Sequence, residues 1–171
     1  MRIIRNILVI ALAFLMQSIF FGRFTFFGVR PDLAMIVLIF LSHESNSVEI
    51  VLYGFFIGFF QDVYTPEYLG FNMLTMSFMA YLLDVAKEML TVENYKIKML
   101  VAFFACLVHD LIYLSLYTQF DYTVLTRLFL RSSLPGAIYT AILAVIFMRA
   151  WDWAVKGGLF IVVKELVGIR R

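Results

Sequence analysis

Charged residues are scarce in this sequence, and their scarcity decides its class. Asp, Glu, Lys and Arg make up 15% of the 171 residues, whereas a soluble domain carries roughly 25%. Hydrophobic residues make up 63% and the mean hydropathy is +0.92. This composition excludes an ordinary soluble domain and predicts an integral membrane protein whose main partner is the lipid bilayer. The net charge of +2 gives no indication of nucleic-acid binding.

Cysteine is nearly absent as well, and so are the motifs of common enzymes. The one cysteine, Cys106, excludes an internal disulfide and a CxxC metal or redox site, and we expect it to be a small buried hydrophobe. No HExxH, GxSxG or glycine-rich phosphate loop occurs. His109 and Asp110 are sequence neighbours, so they point about 100° apart on a helix and do not form a ready-made dyad. We therefore expect no catalytic residues, no metal site and no cofactor.

The apolar runs predict an all-α fold of six transmembrane helices forming one domain over residues 1–171. The second run is short, so it is either a short spanning helix or a re-entrant segment. We also expect one or two helical turns on the outer surface within residues 118–131, followed by a cap at Ser132 or Ser133. The predicted spans are about 4–23, 31–45, 48–64, 70–90, 97–119 and 133–152, followed by an amphipathic cytoplasmic tail at 153–171.

The basic residues predict the orientation. With both termini in the cytoplasm, ten Lys and Arg residues lie inside and four lie outside, which is the bias that cytoplasmic loops show. Arg2 and Arg5 followed by the apolar run at 7–16 resemble a signal peptide, but the next segment, 17–24, has bulky side chains where a cleavage site would need small ones. We expect a retained first helix and a multi-pass membrane protein with both termini in the cytoplasm.

The stretch GFFIGFFQDVYTPEYLGFN, residues 54–72, contains an unusual spacing of glycine and aspartate. Gly54, Gly58 and Asp62 recur every four residues and share one helix face, on which two glycines permit close approach of another helix. We expect this face to point into the bundle, either as an internal packing seam or as a partner surface. Asp62 should accept backbone N–H bonds from the following helix start at Gly70 or Asn72.

Other polar residues form stripes within the predicted spans. In the fourth span Ser77, Tyr81, Asp84 and Glu88 fall on one predicted stripe. In the fifth span a similar spacing includes Asp110, with His109 beside it. Ionisable residues within a membrane are often functional, so these six residues are candidates for a polar site.

The glycine and aspartate pattern resembles the central signature of the rod shape-determining MreD family. Gly54, Gly58, Asp62, Gly70 and Asn72 match in order and spacing. The segment RPDLAMIVLIF, in which Pro31 and Asp32 open the second span, is also similar to that family. These specific motifs cover only residues 30–75, although the length, the six spans and the basic N-terminus fit the whole chain.

The resemblance implies a role in the machinery that elongates the bacterial cell wall. Members are non-enzymatic inner-membrane scaffolds that are thought to bind the single-span protein MreC, and with it MreB, RodA and a penicillin-binding transpeptidase in a larger complex. The implied fold resembles the substrate-binding subunits of energy-coupling-factor transporters. The alternative function is therefore a small-molecule, vitamin-like binding subunit of a transporter.

Overall fold

The computed structural model describes residues 6–7, 9–11, 31–63, 66–88 and 94–156. Within these ranges the chain is helical and contains no strand. The predicted first span falls mostly outside the described residues, and so does nearly all of the predicted tail. The elements in chain order are α1 (Leu33–Glu44), α2 (Ser47–Val63), a 3-10 turn (Pro66–Tyr68), α3 (Phe71–Val85), α4 (Tyr95–Tyr117), α5 (Tyr122–Leu128), a π-helical segment (Phe129–Ser133) and α6 (Leu134–Lys156).

These helices occupy the regions predicted for spans two to six, with boundaries that differ by a few residues. One clear difference is in α3, which ends at Val85, before the predicted end near residue 90, and is followed by a turn at Ala86. Among the described residues, two helical stretches are long and apolar enough to cross a membrane: Tyr95–Tyr117 and Tyr122–Ala150. Leu33–Ser42 and Phe71–Val85 are shorter apolar helices.

The short helix α1 lies at the centre of the described bundle. Every residue from Ala34 to Ser42 is buried, and α1 packs against α2, α3, α4 and α6. A helix of 12 residues is shorter than the ~20 residues that a spanning helix needs. Its uniformly apolar sequence is explained by burial on all sides rather than by contact with lipid.

Small side chains bring α4 and α6 together. Their buried positions include Ala102 and Ala105 on α4 and Ala137, Ala141 and Ala144 on α6. Alanines at this spacing let two helix backbones approach closely, which is how helices associate where no hydrophobic effect drives them together.

The start of the last helix differs from the sequence prediction. The expected cap at Ser132 or Ser133 is wrong, because α5, the π-helical segment and α6 follow one another without a break. This continuous helix begins at Tyr122, where the Asp121 carboxylate accepts the N–H groups of Thr123 and Val124. The chain then passes through the π-helical segment into α6. Pro135 lies just beyond that segment and has no N–H to donate, which favours a local change of helix type there.

Candidate functional site

The glycine face of α2 is an internal packing seam against α3. A Cβ atom added to Gly54 would lie 2.6 Å from the Met76 carbonyl oxygen and 2.8 Å from the Ala80 Cβ. A Cβ on Gly58 would collide with the backbone of Asn72. The predicted close contact is therefore confirmed, and its occupant is the next helix of the same chain. This occupancy leaves no space on that face for a helix of another protein.

Asp62 closes this seam at the end of α2. It is fully buried, and each of its carboxylate oxygens accepts two hydrogen bonds. Oδ2 accepts from the Gly70 N–H at 2.9 Å and the Met73 N–H at 3.0 Å, while Oδ1 accepts from the backbone N–H and the side-chain Nδ2 of Asn72, both at 3.0 Å. The predicted bonds from Gly70 and Asn72 are confirmed. Asp62 thus caps α3 from a different helix and occupies N–H groups that the helix itself cannot bond.

Gly70 is needed for the turn that brings these N–H groups to Asp62. Its φ angle is +104°, a region that residues with a side chain rarely adopt. No atom lies within 4 Å of where its Cβ would be. The requirement for glycine at this position is therefore conformational, whereas at Gly54 and Gly58 it is steric.

A second carboxylate ties the opposite end of the same hairpin. Asp84, near the end of α3, bonds Lys87 Nζ at 2.9 Å and lies next to the side chain of Ser47, the first residue of α2. We call the α2 to α3 unit, held by Asp62 at one end and Asp84 at the other, the clamped hairpin.

The predicted polar stripe of α3 has its members in different environments. Ser77 Oγ donates to the Met73 carbonyl of its own helix at 2.7 Å, and Tyr81 is 56% exposed. Glu88 lies beyond the end of α3 and is exposed. The buried face of α3 is formed instead by Thr75, Met76, Met79, Ala80 and Leu83. These four stripe residues therefore do not converge on one site.

His109 lies where α4 meets the clamped hairpin. Its Nε2 is 3.4 Å from the Thr75 hydroxyl, and its Nδ1 is 3.2 Å from the Asp110 Oδ1. The expectation that His109 and Asp110 point apart is therefore wrong for their side chains, because the flexible Asp110 side chain reaches the neighbouring ring. Asp110 remains one-third exposed while His109 is buried. This arrangement orients the imidazole toward Thr75.

An aromatic column continues from His109 along α4. The His109, Tyr113 and Tyr117 rings stack with centroids 6.2 Å apart at each step. Tyr113 lies near the Asn72 side chain, and Tyr117 lies against Tyr68 of the 3-10 turn with ring centroids at 4.8 Å. The nearby Tyr117 hydroxyl is the main reason that the pKa of Tyr68 is raised. The column therefore joins α4 to the 3-10 turn that precedes the Asp62 contacts at the start of α3.

Pro31 and Asp32 anchor the start of α1. Pro31 is buried, and the Asp32 carboxylate accepts the Met35 N–H at 3.0 Å as a helix cap. The Asp32 backbone N–H donates to Thr140 Oγ1 of α6 at 3.0 Å. Thr140 also lies near Cys106, which is buried as expected.

Two threonines in this region were missed by the sequence analysis. Thr75 and Thr140 are almost fully buried and each bonds a polar group of another helix. The available signal was a threonine hydroxyl among apolar neighbours in a largely apolar helix, since a hydroxyl is costly to bury without a bond. Within the described ranges, no three His, Cys, Asp or Glu side chains are grouped as metal ligands would be.

Comparison with known proteins gives one match. Residues 1–151 match the family model described as rod shape-determining protein MreD. No curated protein and no solved structure matches the chain. The matched range contains the clamped hairpin, the aromatic column and the Asp32 anchor.

Proposed function

Since the chain belongs to the rod shape-determining MreD family of bacterial membrane proteins, we propose that it is a non-enzymatic scaffold of cell-wall elongation that binds the single-span protein MreC. In this proposal the chain crosses the inner membrane six times with both termini in the cytoplasm. Through MreC it contributes to a complex with MreB, RodA and a penicillin-binding transpeptidase. Family membership is the observation that carries the proposal.

The clamped hairpin supports a scaffold because it is a pre-organised element. The Asp62 bonds, the Asp84 contact with Ser47 and the glycine seam hold α2 and α3 in one relative position. A surface that is already ordered loses little conformational freedom when a partner binds. The internal contacts of this hairpin thus prepare its outer face for docking.

That outer face carries an uninterrupted aromatic stripe on α2, on the side opposite to the glycines. Its exposed residues recur with helical periodicity over about three turns: Leu52, Phe55, Phe56, Phe59, Phe60 and Val63. Aromatic side chains are enriched at interfaces because they bury a large area at low entropic cost. We propose that the span of MreC packs along this stripe, which we call the phenylalanine face.

Site-specific photocrosslinking in native membranes tests this contact. A photoreactive residue at Phe56 should crosslink to MreC, because Phe56 is 51% exposed on the phenylalanine face. The matched controls are buried Ile57 on the same helix and exposed Ile142 on α6, and neither should yield the adduct. An MreC adduct from position 142 alone would move the interface to α6.

The functional consequence is tested in cells that depend on this chain for rod shape. Charged replacements at Phe55 and Phe59 should reduce MreC recovery and produce rounded cells while the protein still accumulates in the membrane. Replacing exposed Ile138 and Ile142 in the same way controls for insertion of charge into a lipid-facing helix. Rod shape with full MreC recovery in the Phe55 and Phe59 variant would refute the proposed face.

The transporter-subunit alternative gains no support from the comparisons. It predicts a stoichiometric small molecule that is retained during purification. Mass spectrometry of the purified protein distinguishes the two functions, since a scaffold should retain MreC and no vitamin-like compound.

A further inference from the structure

Two basic side chains, one from α4 and one from α6, lie close to the ring of one tyrosine at the beginning of α4. Lys98 Nζ lies 5.6 Å from the centre of the Tyr95 ring, and Arg149 Cζ of α6 lies 5.0 Å from the same point. Both distances fall within the range of cation–π attraction. The separation of the two charges is therefore at most the sum of these distances. Lys96, one residue after Tyr95, adds an exposed positive charge nearby in the chain.

The two cations have no carboxylate partner in the part of the chain that the structure describes. By contrast, Lys87 at the end of α3 pairs with Asp84 at 2.9 Å. Two like charges near one ring repel each other, and the repulsion is relieved by an anion placed between them. The Tyr95, Lys98 and Arg149 cluster therefore has the charge pattern of an anion site.

The surroundings of the cluster indicate the depth at which it lies. Trp153, one turn beyond Arg149, is 68% exposed, and exposed tryptophan is typical of the membrane–water interface. Met99 and Ile146 lie about one turn from Tyr95 and Arg149 toward the middle of their helices, and both are exposed and apolar. A ligand there meets positive charge at one end and an apolar surface at the other.

We propose that the Tyr95, Lys98 and Arg149 cluster binds the phosphodiester headgroup of an anionic phospholipid, whose acyl chains lie against Met99 and Ile146. Arg149 supplies a planar set of N–H donors that suits phosphate oxygens, and Lys98 supplies a second charge. The apolar neighbours favour a lipid over free phosphate, because free phosphate has nothing to bury there. This site is independent of MreC binding and of the proposed orientation.

Native mass spectrometry of the purified full-length protein, titrated with phosphatidylglycerol or with phosphatidylcholine of the same acyl chains, tests the proposal. The parent should prefer phosphatidylglycerol. The K98Q/R149Q variant should lose about 25-fold in affinity for it, since each basic residue near an anionic lipid contributes roughly fivefold. The R127Q/R131Q variant removes two arginines before α6 and should keep the parent's preference. The K98R/R149K variant keeps both charges and should keep most of it, which separates lost charge from lost folding.

Three outcomes would overturn the proposal. The first is equal phosphatidylglycerol affinity in the parent and the K98Q/R149Q variant. The second is an equal loss in the R127Q/R131Q variant, which would show a general effect of net charge. The third is displacement of phosphatidylglycerol by inorganic phosphate at comparable concentration, which would identify a free-anion site.

Discussion

Asp62 offers the sharpest test of what holds the clamped hairpin together. Its carboxylate accepts four hydrogen bonds within a buried site. In Asp62→Asn one oxygen remains, so two donors keep a partner and two face an amide N–H₂. In Asp62→Leu all four donors are unpaired. Each buried unpaired donor costs ~1–3 kcal/mol, which gives ~2–6 kcal/mol for Asn and ~4–12 kcal/mol for Leu.

These costs are large compared with the ~5–15 kcal/mol that stabilises a typical domain. We expect Asp62→Asn to lower the melting temperature of the detergent-solubilised protein by on the order of 10 °C, and Asp62→Leu to accumulate poorly. The matched control is Asp121→Asn, which alters another carboxylate cap with two N–H bonds at an exposed site. It should be nearly neutral, because Asn caps a helix as well as Asp does.

Thermal unfolding followed by size-exclusion chromatography measures the whole series. The reasoning predicts the order parent, Asp121→Asn, Asp62→Asn, Asp62→Leu from most to least stable. Equal losses from the Asn and Leu variants at Asp62 would show that the negative charge matters and the number of bonds does not. Parent-like melting of Asp62→Leu would refute the role of these bonds altogether.

Three further predictions concern the glycines and the topology. Gly58→Ala should lower the melting temperature, because its Cβ meets backbone that cannot move aside and overpacking costs ~1–3 kcal/mol, whereas Val63→Ala on the exposed side should not. Gly70→Ala should cost ~1–2 kcal/mol through its φ of +104° alone, and equal stability in a denaturant titration would contradict this. Reporter fusions after Arg171 and after Tyr68 should report the cytoplasm and the outside respectively, and an external C-terminus would refute the proposed orientation.

The local features of this chain could be read from the sequence because they depend on spacing along one helix. Glycines four residues apart necessarily share a face, and a buried aspartate just before a turn needs nearby N–H donors. For this reason the close contact at Gly54 and Gly58 and the bonds from Gly70 and Asn72 to Asp62 were predictable. The hydropathy likewise predicted the helical membrane class, because it depends on composition alone.

Contacts between helices could not be read in this way. The spacing of Gly54 and Gly58 does not say whether α3 or a foreign helix fills the seam, and the apolar sequence of α1 fits lipid as well as a protein core. The residues of the stripe predicted from Ser77 to Glu88 do not share one environment, because α3 ends at Val85 and the face of α3 that is buried is not the face of the stripe.

Composition and helical periodicity by themselves determined that this protein is a helical membrane protein with a glycine seam closed by Asp62. Only the tertiary structure decided that α3 fills this seam, that α1 is enclosed, and that Thr75 and Thr140 join helices distant in sequence. The physical reason is that periodicity specifies which residues share a face of one helix. Which faces meet depends on the packing of all helices at once.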